Sequence, residues 1–376
     1  MRVLRINVVG RGMGLTPRER LHRCYFHQDL DRPGVYSRVG FPKDDPTYDG
    51  LRALFAAHTE QKFSWRGWRL STPPAERGVE PYSEDFERHI TVVSTPKGKL
   101  QSSRLMSLKG LPGLHETFLV SCREDAEAYL SLPMPEISFA TESFGEADRL
   151  GGDRGIVDVV LGMNPAGTVA EICGSEAFAI MSITDRDVLH ALCRRQMDVM
   201  LAVAKGLTLR GVGPYFCMAG EEYLVPPLHG ERDFFDFNVR YDKPICDVIH
   251  EADGRIHIHS HGSIRRVIKG FVAMGADVLH PFEAPPLGDI SVREAKEAVR
   301  GRICLEGNIQ IGDMYDLGPD AIRAQTEALI RDAFDDGRGL IVCPTASPFI
   351  RGRGEDCLPQ YQAMVDTVLA WNGSPG

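Results

Sequence analysis

No run of apolar residues in this 376-residue chain is long enough to cross a lipid bilayer. The first ten residues also lack the sustained apolar stretch and small-residue cleavage site of a secretory signal. Apolar residues make up 43% and charged residues 25% of the chain, close to the averages for soluble globular proteins. We therefore expect a cytoplasmic protein that does not enter a membrane.

Positive charge is in deficit, because 43 Lys and Arg residues face 52 Asp and Glu residues and give a net charge of −9. Binding to a nucleic-acid backbone depends on clustered Lys and Arg. The nine cysteines are odd in number and scattered, and no two of them form a C-x-x-C pair. These features indicate small-molecule partners and reduced, mostly buried thiols.

Short β-rich runs alternate with helical patterns, most clearly from about residue 155 onward. This alternation is typical of a parallel sheet with crossover helices. The predicted strands cover residues 34–39, 89–95, 156–161, 212–218, 255–260, 277–282, 303–306 and 340–343. The predicted helices cover residues 48–58, 187–207, 320–334 and 358–371.

Eight strands with intervening helices predict an α/β chain folded as a single (β/α)8 TIM barrel. It would span residues 1–376 with a barrel core at about 31–371, an N-terminal extension, and a β-hairpin insertion that turns at residues 95–99. No low-complexity linker or short internal repeat divides the chain. The alternative is an open doubly wound sheet, and the lack of a GxGxxG strand-to-helix turn counts against its dinucleotide-binding form.

Three histidines, His257, His259 and His261, occupy alternate residues between Arg255 and Gly262. In an extended strand all three imidazoles leave by the same face, which is the geometry of a metal site, although a solvent-facing strand can carry the same pattern. In a barrel the C-terminal end of each strand opens onto a shared cleft. That position favours a metal or catalytic role.

Other polar residues lie at the ends of the predicted strands. Each one alone can be an ordinary loop residue, but their occurrence at equivalent positions predicts a common polar site. For Zn²⁺, the candidate ligands are His259, His261 and Glu283, with Cys343 either a fourth ligand or a small core residue. His257 lies one pleat earlier and is expected to support the site or belong to the core.

Proton transfer and substrate binding have their own candidates. Glu222 is a candidate general base. His280 and Asp289 lie in a run with three prolines, which either preorganises a catalytic loop or only stiffens it. The candidate substrate-binding residues are Arg38, Asn164, Tyr223, Asn308, Gln310 and Thr345. Arg38 would pair with a carboxylate or sulfonate, and Asn308 and Gln310 with the polar end of the substrate.

An early TPRER and DRP are followed in order by HSHG, GADVL, LEGNIQIG and GLIVCPTASP. With these motifs in this order, the chain resembles the uroporphyrinogen decarboxylase superfamily, most clearly over residues 213–364. This superfamily includes zinc-dependent methyltransferases that move a methyl group from a corrinoid protein to a thiol. The resemblance implies a (β/α)8 barrel with a deep cleft. It also implies Zn²⁺, a small-molecule substrate, a corrinoid carried by a partner protein, and a homodimer as found in the decarboxylase branch.

The methyltransferase branch uses a His-x-Cys pair, a later Cys and a carboxylate. By this resemblance His259 matches the His, His261 replaces the first Cys, and Glu283 matches the carboxylate. The later Cys would fall near Ala346, so Cys343 must reach in or the site lacks a thiolate. The decarboxylase branch has an RQAGR loop, of which residues 36–40 keep one Arg, and its FSDIL and GHGI motifs have no counterpart.

We predict a metal-dependent methyltransferase that activates a small acceptor. The alternative is a decarboxylase or lyase acting on a small carboxylated substrate, in which Arg38 holds the carboxylate and the histidines donate protons. A third, non-enzymatic interpretation is a barrel that binds a corrinoid or tetrapyrrole.

Overall fold

The computed structural model describes residues 14–110 and 112–372. Residues 1–10, on which the expectation of no secretory signal rests, lie outside these ranges. The strands are β1 (Gly34–Val35), β2 (Gln61–Trp65), β3 (Trp68–Leu70), β4 (Ala75–Pro81), β5 (Phe86–Thr95), β6 (Gly98–Ser107), β7 (Leu114–Thr117), β8 (Ile137–Phe139), β9 (Gly155–Met163), β10 (Tyr215–Ala219), β11 (Arg255–His259), β12 (Val278–His280), β13 (Cys304–Ile309) and β14 (Leu340–Pro344).

The helices alternate with the strands in the second half of the chain. They are α1 (Pro17–Tyr25), α2 (Asp49–His58), α3 (Arg123–Leu130), α4 (Phe144–Gly151), α5 (Pro165–Cys173), α6 (Ser175–Thr184), α7 (Arg186–Thr208), α8 (Glu231–Asp233), α9 (Arg240–Glu251), α10 (Ile268–Met274), α11 (Val292–Val299), α12 (Asp313–Asp316), α13 (Pro319–Ala333) and α14 (Gly354–Leu369). The four predicted helices overlap α2, α7, α13 and α14. Their apolar stripes are buried, as Ile322, Leu329 and Ile330 of α13 show.

Eight strands form one parallel sheet in the order β1-β14-β13-β12-β11-β10-β9-β2. The two end strands of this order approach each other, since the Glu60 N–H before β2 donates to the Val35 carbonyl of β1 at 3.0 Å. The sheet is therefore curled back on itself, and the chain has an α/β fold.

Seven of the eight predicted strands overlap strands of this sheet. Residues 89–95 form a strand as predicted, but their predicted place in the barrel sheet is wrong. That segment is part of β5, in a separate antiparallel sheet ordered β4-β5-β6-β7. The turn after it joins β5 to β6, with Thr95 opposite Gly98. The missing strand of the curled sheet is β2, whose polar Lys62 and Ser64 face the interior, so its pattern lacks an apolar inner face.

Helix α1 lies against the starts of the strands. It begins with a capping box, in which the Thr16 hydroxyl accepts from the Glu19 N–H and the Glu19 side chain returns to Thr16, and Pro17 fits the first turn. Its buried face packs on the first inward residue of several strands and forms the apolar cluster of Leu21, Cys24, Tyr25, Ile156, Tyr215, Val278, Cys304 and Ile341. One end of the curled sheet is therefore closed by apolar side chains.

Among the described residues, no single helix is both long and apolar enough to cross a membrane. Helices α5 and α6 reach that length and composition only together, and they are bent by 107° at the break between them.

Glu60 joins α1, β1 and β2 through one fully buried carboxylate. Its Oε1 accepts from Arg20 at 2.6 Å and from Arg32 at 2.9 Å, and its Oε2 accepts from the Val35 N–H at 2.6 Å. Removing one partner of a buried, hydrogen-bonded charge leaves the others uncompensated. This Glu60 hub, the carboxylate with its three donors, therefore stabilises the contact between the two end strands.

We expect Glu60→Gln to lower the free energy of unfolding by about 3 kcal/mol, because two arginines lose a buried anion. Urea unfolding of the purified protein measures this change. The matched control is Glu76→Gln, whose side chain is 72% exposed beside Lys99 and should cost less than about 0.5 kcal/mol. Equal losses in the two variants would contradict the role of the hub.

Candidate active site

A cavity of about 530 Å³ opens at the carboxyl ends of the curled sheet. Side chains reach it at alternate positions of neighbouring strands, as Asp158 and Val160 do on β9 and His257 and His259 do on β11. The cavity is lined by Tyr36, Arg38, Val39, Gly40, Lys62, Ser64, Asp158, Val160, Gly162, Met163, Cys217, Met218, Ala219, His257, His259, Glu306 and Ser347.

Lys62 and Glu306 form a buried ion pair across the interior, from β2 to β13. Burial disfavours the charge on Lys62, but the carboxylates of Glu306 and Asp158 outweigh it and raise the pKa of Lys62. Burial likewise disfavours the Glu306 carboxylate, but Lys62 and His257 hold the pKa of Glu306 well below its usual value. Both groups are therefore charged at neutral pH.

His257 is 5% exposed, and neither of its ring nitrogens has a hydrogen-bond partner among the described residues. Its Nε2 lies 3.6 Å from Glu306 Oε1, the oxygen not bound to Lys62. One ligand atom from each of His257, His280 and Glu306 lies within 4.8 Å of the others. Two imidazoles and a carboxylate are a known ligand set of catalytic Zn²⁺. These three residues can hold a metal ion.

His259 and His280 lie side by side on β11 and β12, with their Nδ1 atoms 2.9 Å apart. His259 Nδ1 also lies 2.9 Å from Arg38 Nη1, which can only donate, and His280 Nε2 lies 3.1 Å from the Pro344 carbonyl, which can only accept. With both rings neutral, every assignment of protons leaves one contact with two donors or two acceptors face to face. A cation that takes up an imidazole lone pair relieves this conflict.

Burial and neighbouring positive groups act on both imidazoles. Burial, with His280 and Arg38 beside it, lowers the pKa of His259 well below its usual value. Burial lowers the pKa of His280 in the same way, although Glu306 opposes the shift. Both rings are therefore neutral at neutral pH, and neutral imidazole is the form that binds metals.

His261 and Glu283 follow the ends of β11 and β12 at the rim and do not line the cavity. The His261 ring meets the His259 ring edge-on, with ring centres 4.7 Å apart. His261 Nδ1 is 3.2 Å from Glu283 Oε2, and this buried carboxylate also accepts from the Gly262 N–H at 2.9 Å. Glu222, in a short helix after β10, accepts from the Gly220 N–H. Burial raises the pKa of Glu222, and the nearby His261 partly counteracts that rise. Glu222 is thus close enough to His261 for their charges to interact, and its role as a general base stays a prediction.

Cys343 is fully buried on β14, with its Sγ 3.7 Å from His280 Nε2. Burial raises the pKa of this thiol well above its usual value. Of the four predicted metal ligands, His259 meets His261 and His261 meets Glu283, whereas Cys343 is linked to His259 only through His280. In the described part of the chain, however, the residues whose ligand atoms meet around one point are His257, His280 and Glu306. A metal role for His259, His261, Glu283 and Cys343 stays a prediction.

Several predicted binding residues are held by loop contacts. Asn308 donates to the Phe282 carbonyl at 3.0 Å, and Gln310 donates to the Ala284 carbonyl at 2.8 Å. Thr345 Oγ1 accepts from the Ile311 N–H at 3.2 Å. These side chains tie the loops after β12, β13 and β14 together at the edge of the site.

Three further candidates lie away from the cavity lining. Asn164 is fully buried, caps α5 through the Gly167 N–H, and donates to Asp242. Asp289 accepts from the Arg265 N–H and fixes a loop. Tyr223 lines a separate cleft of about 480 Å³ between β6, β7 and the α5–α6 corner. Their roles in catalysis or substrate binding stay predictions.

Most of the charge in the cavity comes from three residues that were not predicted from the sequence, Lys62, Asp158 and Glu306. Asp158 and Glu306 are the acidic residues within two otherwise apolar strand segments, 156–161 and 303–306. A lone acid inside such a segment costs free energy unless it has a purpose or a partner. That signal was available, whereas Lys62 lay in a strand that was not predicted.

A family model for uroporphyrinogen decarboxylase (URO-D) matches residues 160–347, half of the chain, and these residues include β10 to β14 and the histidines of the cavity. This chain therefore belongs to the uroporphyrinogen decarboxylase family. No curated protein matches the sequence.

Among solved structures, a methyltransferase from Methanosarcina mazei is similar over 94% of this chain and 98% of its own, with a TM-score of 0.57 and 14% sequence identity. It supports the fold alone. Two glycoside hydrolases are more distant. A GH10 xylanase from termite gut has a TM-score of 0.36 and 8% identity over 82% of this chain and 98% of its own. A GH5 endoglucanase from Bacteroides salanitronis has a TM-score of 0.36 and 11% identity over 68% of this chain and 81% of its own.

We expect Lys62→Met and Glu306→Met each to cost about 3 to 5 kcal/mol of unfolding free energy, because each leaves the other charge buried and unpaired. The double variant should cost less than the sum of the two. Denaturant unfolding of the four metal-free proteins measures the coupling. The exposed pair Lys99 and Glu76 is the control. The same substitutions there should give a coupling free energy of less than about 1 kcal/mol. Additive losses at Lys62 and Glu306 would refute the pairing.

Proposed function

We propose that this protein is a metal-dependent enzyme of the uroporphyrinogen decarboxylase family that binds Zn²⁺ and transfers a methyl group to a small acceptor. The observation that carries the proposal is the group of His257, His280 and Glu306. His257 and Glu306 line the cavity, and His280 is fully buried beside them. The buried, unpartnered nitrogens of His257 and the charge of Glu306 fit a zinc ion. When bound, the metal would lower the pKa of an acceptor such as a thiol.

The residues around this group have complementary roles. Lys62 holds one oxygen of Glu306 and leaves the other facing His257, so it fixes the orientation of the carboxylate. Glu222, at the rim, can accept the proton that the acceptor loses. Arg38 forms no ion pair with an acidic side chain of the described residues, so it is available for an anionic group of the substrate.

The predicted ligands at the rim define an alternative metal shell of His259, His261 and Glu283, with Cys343 as a fourth member. It is supported by the contact of His261 with Glu283 and by the resemblance to the thiol methyltransferases. The cavity opens at one end only of the curled sheet, so a methyl donor must enter by the same mouth. We propose a corrinoid on a partner protein as that donor.

Elemental analysis of protein purified without a histidine tag or added metal tests the proposal. We expect about one zinc per chain, lost in His257→Ala and His280→Ala and retained in His259→Ala and His261→Ala. The control is His250→Ala, because His250 binds Asp277 at the opposite end of the sheet. If zinc is lost only in the His259 and His261 variants, the metal is assigned to the ligands at the rim. Absence of metal even after incubation with zinc would refute the metal-dependent mechanism.

A second candidate is decarboxylation of a small carboxylated substrate, and Arg38 and Lys62, two cations in the same cavity, favour it. It predicts carbon dioxide release that persists after chelation of all metal and that falls at least about ten-fold in Arg38→Gln. Release that stops with the chelator would exclude it.

A further inference from the structure

Two charged side chains of the cavity have no partner of opposite charge. Arg38 and Asp158 both line it, and neither takes part in an ion pair with another described residue. Lys62, the cation whose field reaches Asp158, is bound to Glu306. The cavity thus presents one unpaired cation and one unpaired anion.

Asp158 is the less expected of the two, because it is 8% exposed and no described residue donates a hydrogen bond to its Oδ1. The nearby Cys217 thiol is only a weak donor. A buried carboxylate oxygen without a donor is costly, and natural proteins pair or hydrogen-bond such groups. A ligand ammonium group would supply both the charge and the donors.

The two charges lie at different depths. Asp158 is opposite Ser64 of β2, and β9 continues past it to Met163, so its side chain lies below the rim. Arg38 follows the end of β1 and contacts His259 at the mouth. A ligand that meets both would enter with its cationic group first and keep its anionic group near the mouth.

We infer that the cavity selects a small zwitterion, with an ammonium group at Asp158 and a carboxylate or similar anion at Arg38. In the metal-free cavity the charges of Arg38 and Lys62 equal those of Asp158 and Glu306, so a ligand without net charge leaves these four side chains balanced. The inference rests on the proposed function only in taking this cavity as the place of the acceptor. The substrate class is therefore amino-acid-like, and the inference does not specify which group of the substrate is methylated.

Isothermal titration calorimetry with four probes of matched carbon chain tests this inference. Norvaline and δ-aminovalerate carry both charges at different separations, whereas valerate carries only the anion and pentylamine only the cation. We expect at least one zwitterion to bind about ten-fold or more tightly than either single-charge probe, because a charged hydrogen bond is added. If neither zwitterion binds the unmodified protein more tightly than valerate and pentylamine do, the inference is overturned.

Two isosteric variants then assign the ends. Asp158→Asn should reduce zwitterion and pentylamine affinity about ten-fold and leave valerate unchanged, and Arg38→Gln should reduce zwitterion and valerate affinity and leave pentylamine unchanged. Asp153→Asn, at an exposed position before β9, is the control and should change nothing. Loss of all four probes equally in Asp158→Asn would mean a structural role and overturn the assignment.

The probes lack a thiol, so their binding does not depend on a metal-bound acceptor. Zwitterion selectivity in a protein without zinc would keep this inference and reject the metal-dependent function. Zinc at full occupancy without zwitterion selectivity would keep the metal-dependent function and reject this inference.

Discussion

The Lys62–Glu306 ion pair is the interaction on which the candidate site depends. It crosses the interior of the curled sheet between two strands that are far apart in the sequence. Charges are costly to bury, and this pair persists because each group compensates the other. Without Lys62, Glu306 would favour its neutral form, and His257 and His280 would lose their anionic neighbour. The cation on β2 therefore maintains a site on β11 to β13.

The same alternation of side chains builds an apolar base and a polar cavity. The first inward residues, such as Ile156 on β9 and Tyr215 on β10, pack on α1 and exclude water from one end. The next inward residues on the same strands, Asp158 and Cys217, are polar and line the cavity. Because strand side chains alternate strictly, each strand contributes both to the base and to the site.

The sequence predicted the strand of His257 and His259 correctly, because this pattern is local. His261 lies beyond the end of that strand, and His257, expected only to support the site, belongs to the group that can hold a metal. His257 and His259 both line the cavity. Lys62 could not be paired with Glu306 in advance, since 244 residues separate them and β2 shows no apolar alternation. Asn164 was predicted to bind substrate because it follows a strand, and the cap that its side chain forms on α5 was not predicted. Strand ends show where a residue lies, and long-range packing determines what its side chain contacts.

The two functional hypotheses require different protonation states of the same imidazoles. A proton donor in a lyase must carry a proton that it can release near neutral pH, whereas a metal ligand must present a lone pair. Burial, with Arg38 nearby, keeps the pKa of His259 and His280 well below the usual value, so both rings are neutral and weakly acidic. Their contact also leaves one imidazole lone pair or donor unsatisfied. The low pKa values disfavour proton donation by these imidazoles and leave the neutral ring that a metal ligand requires.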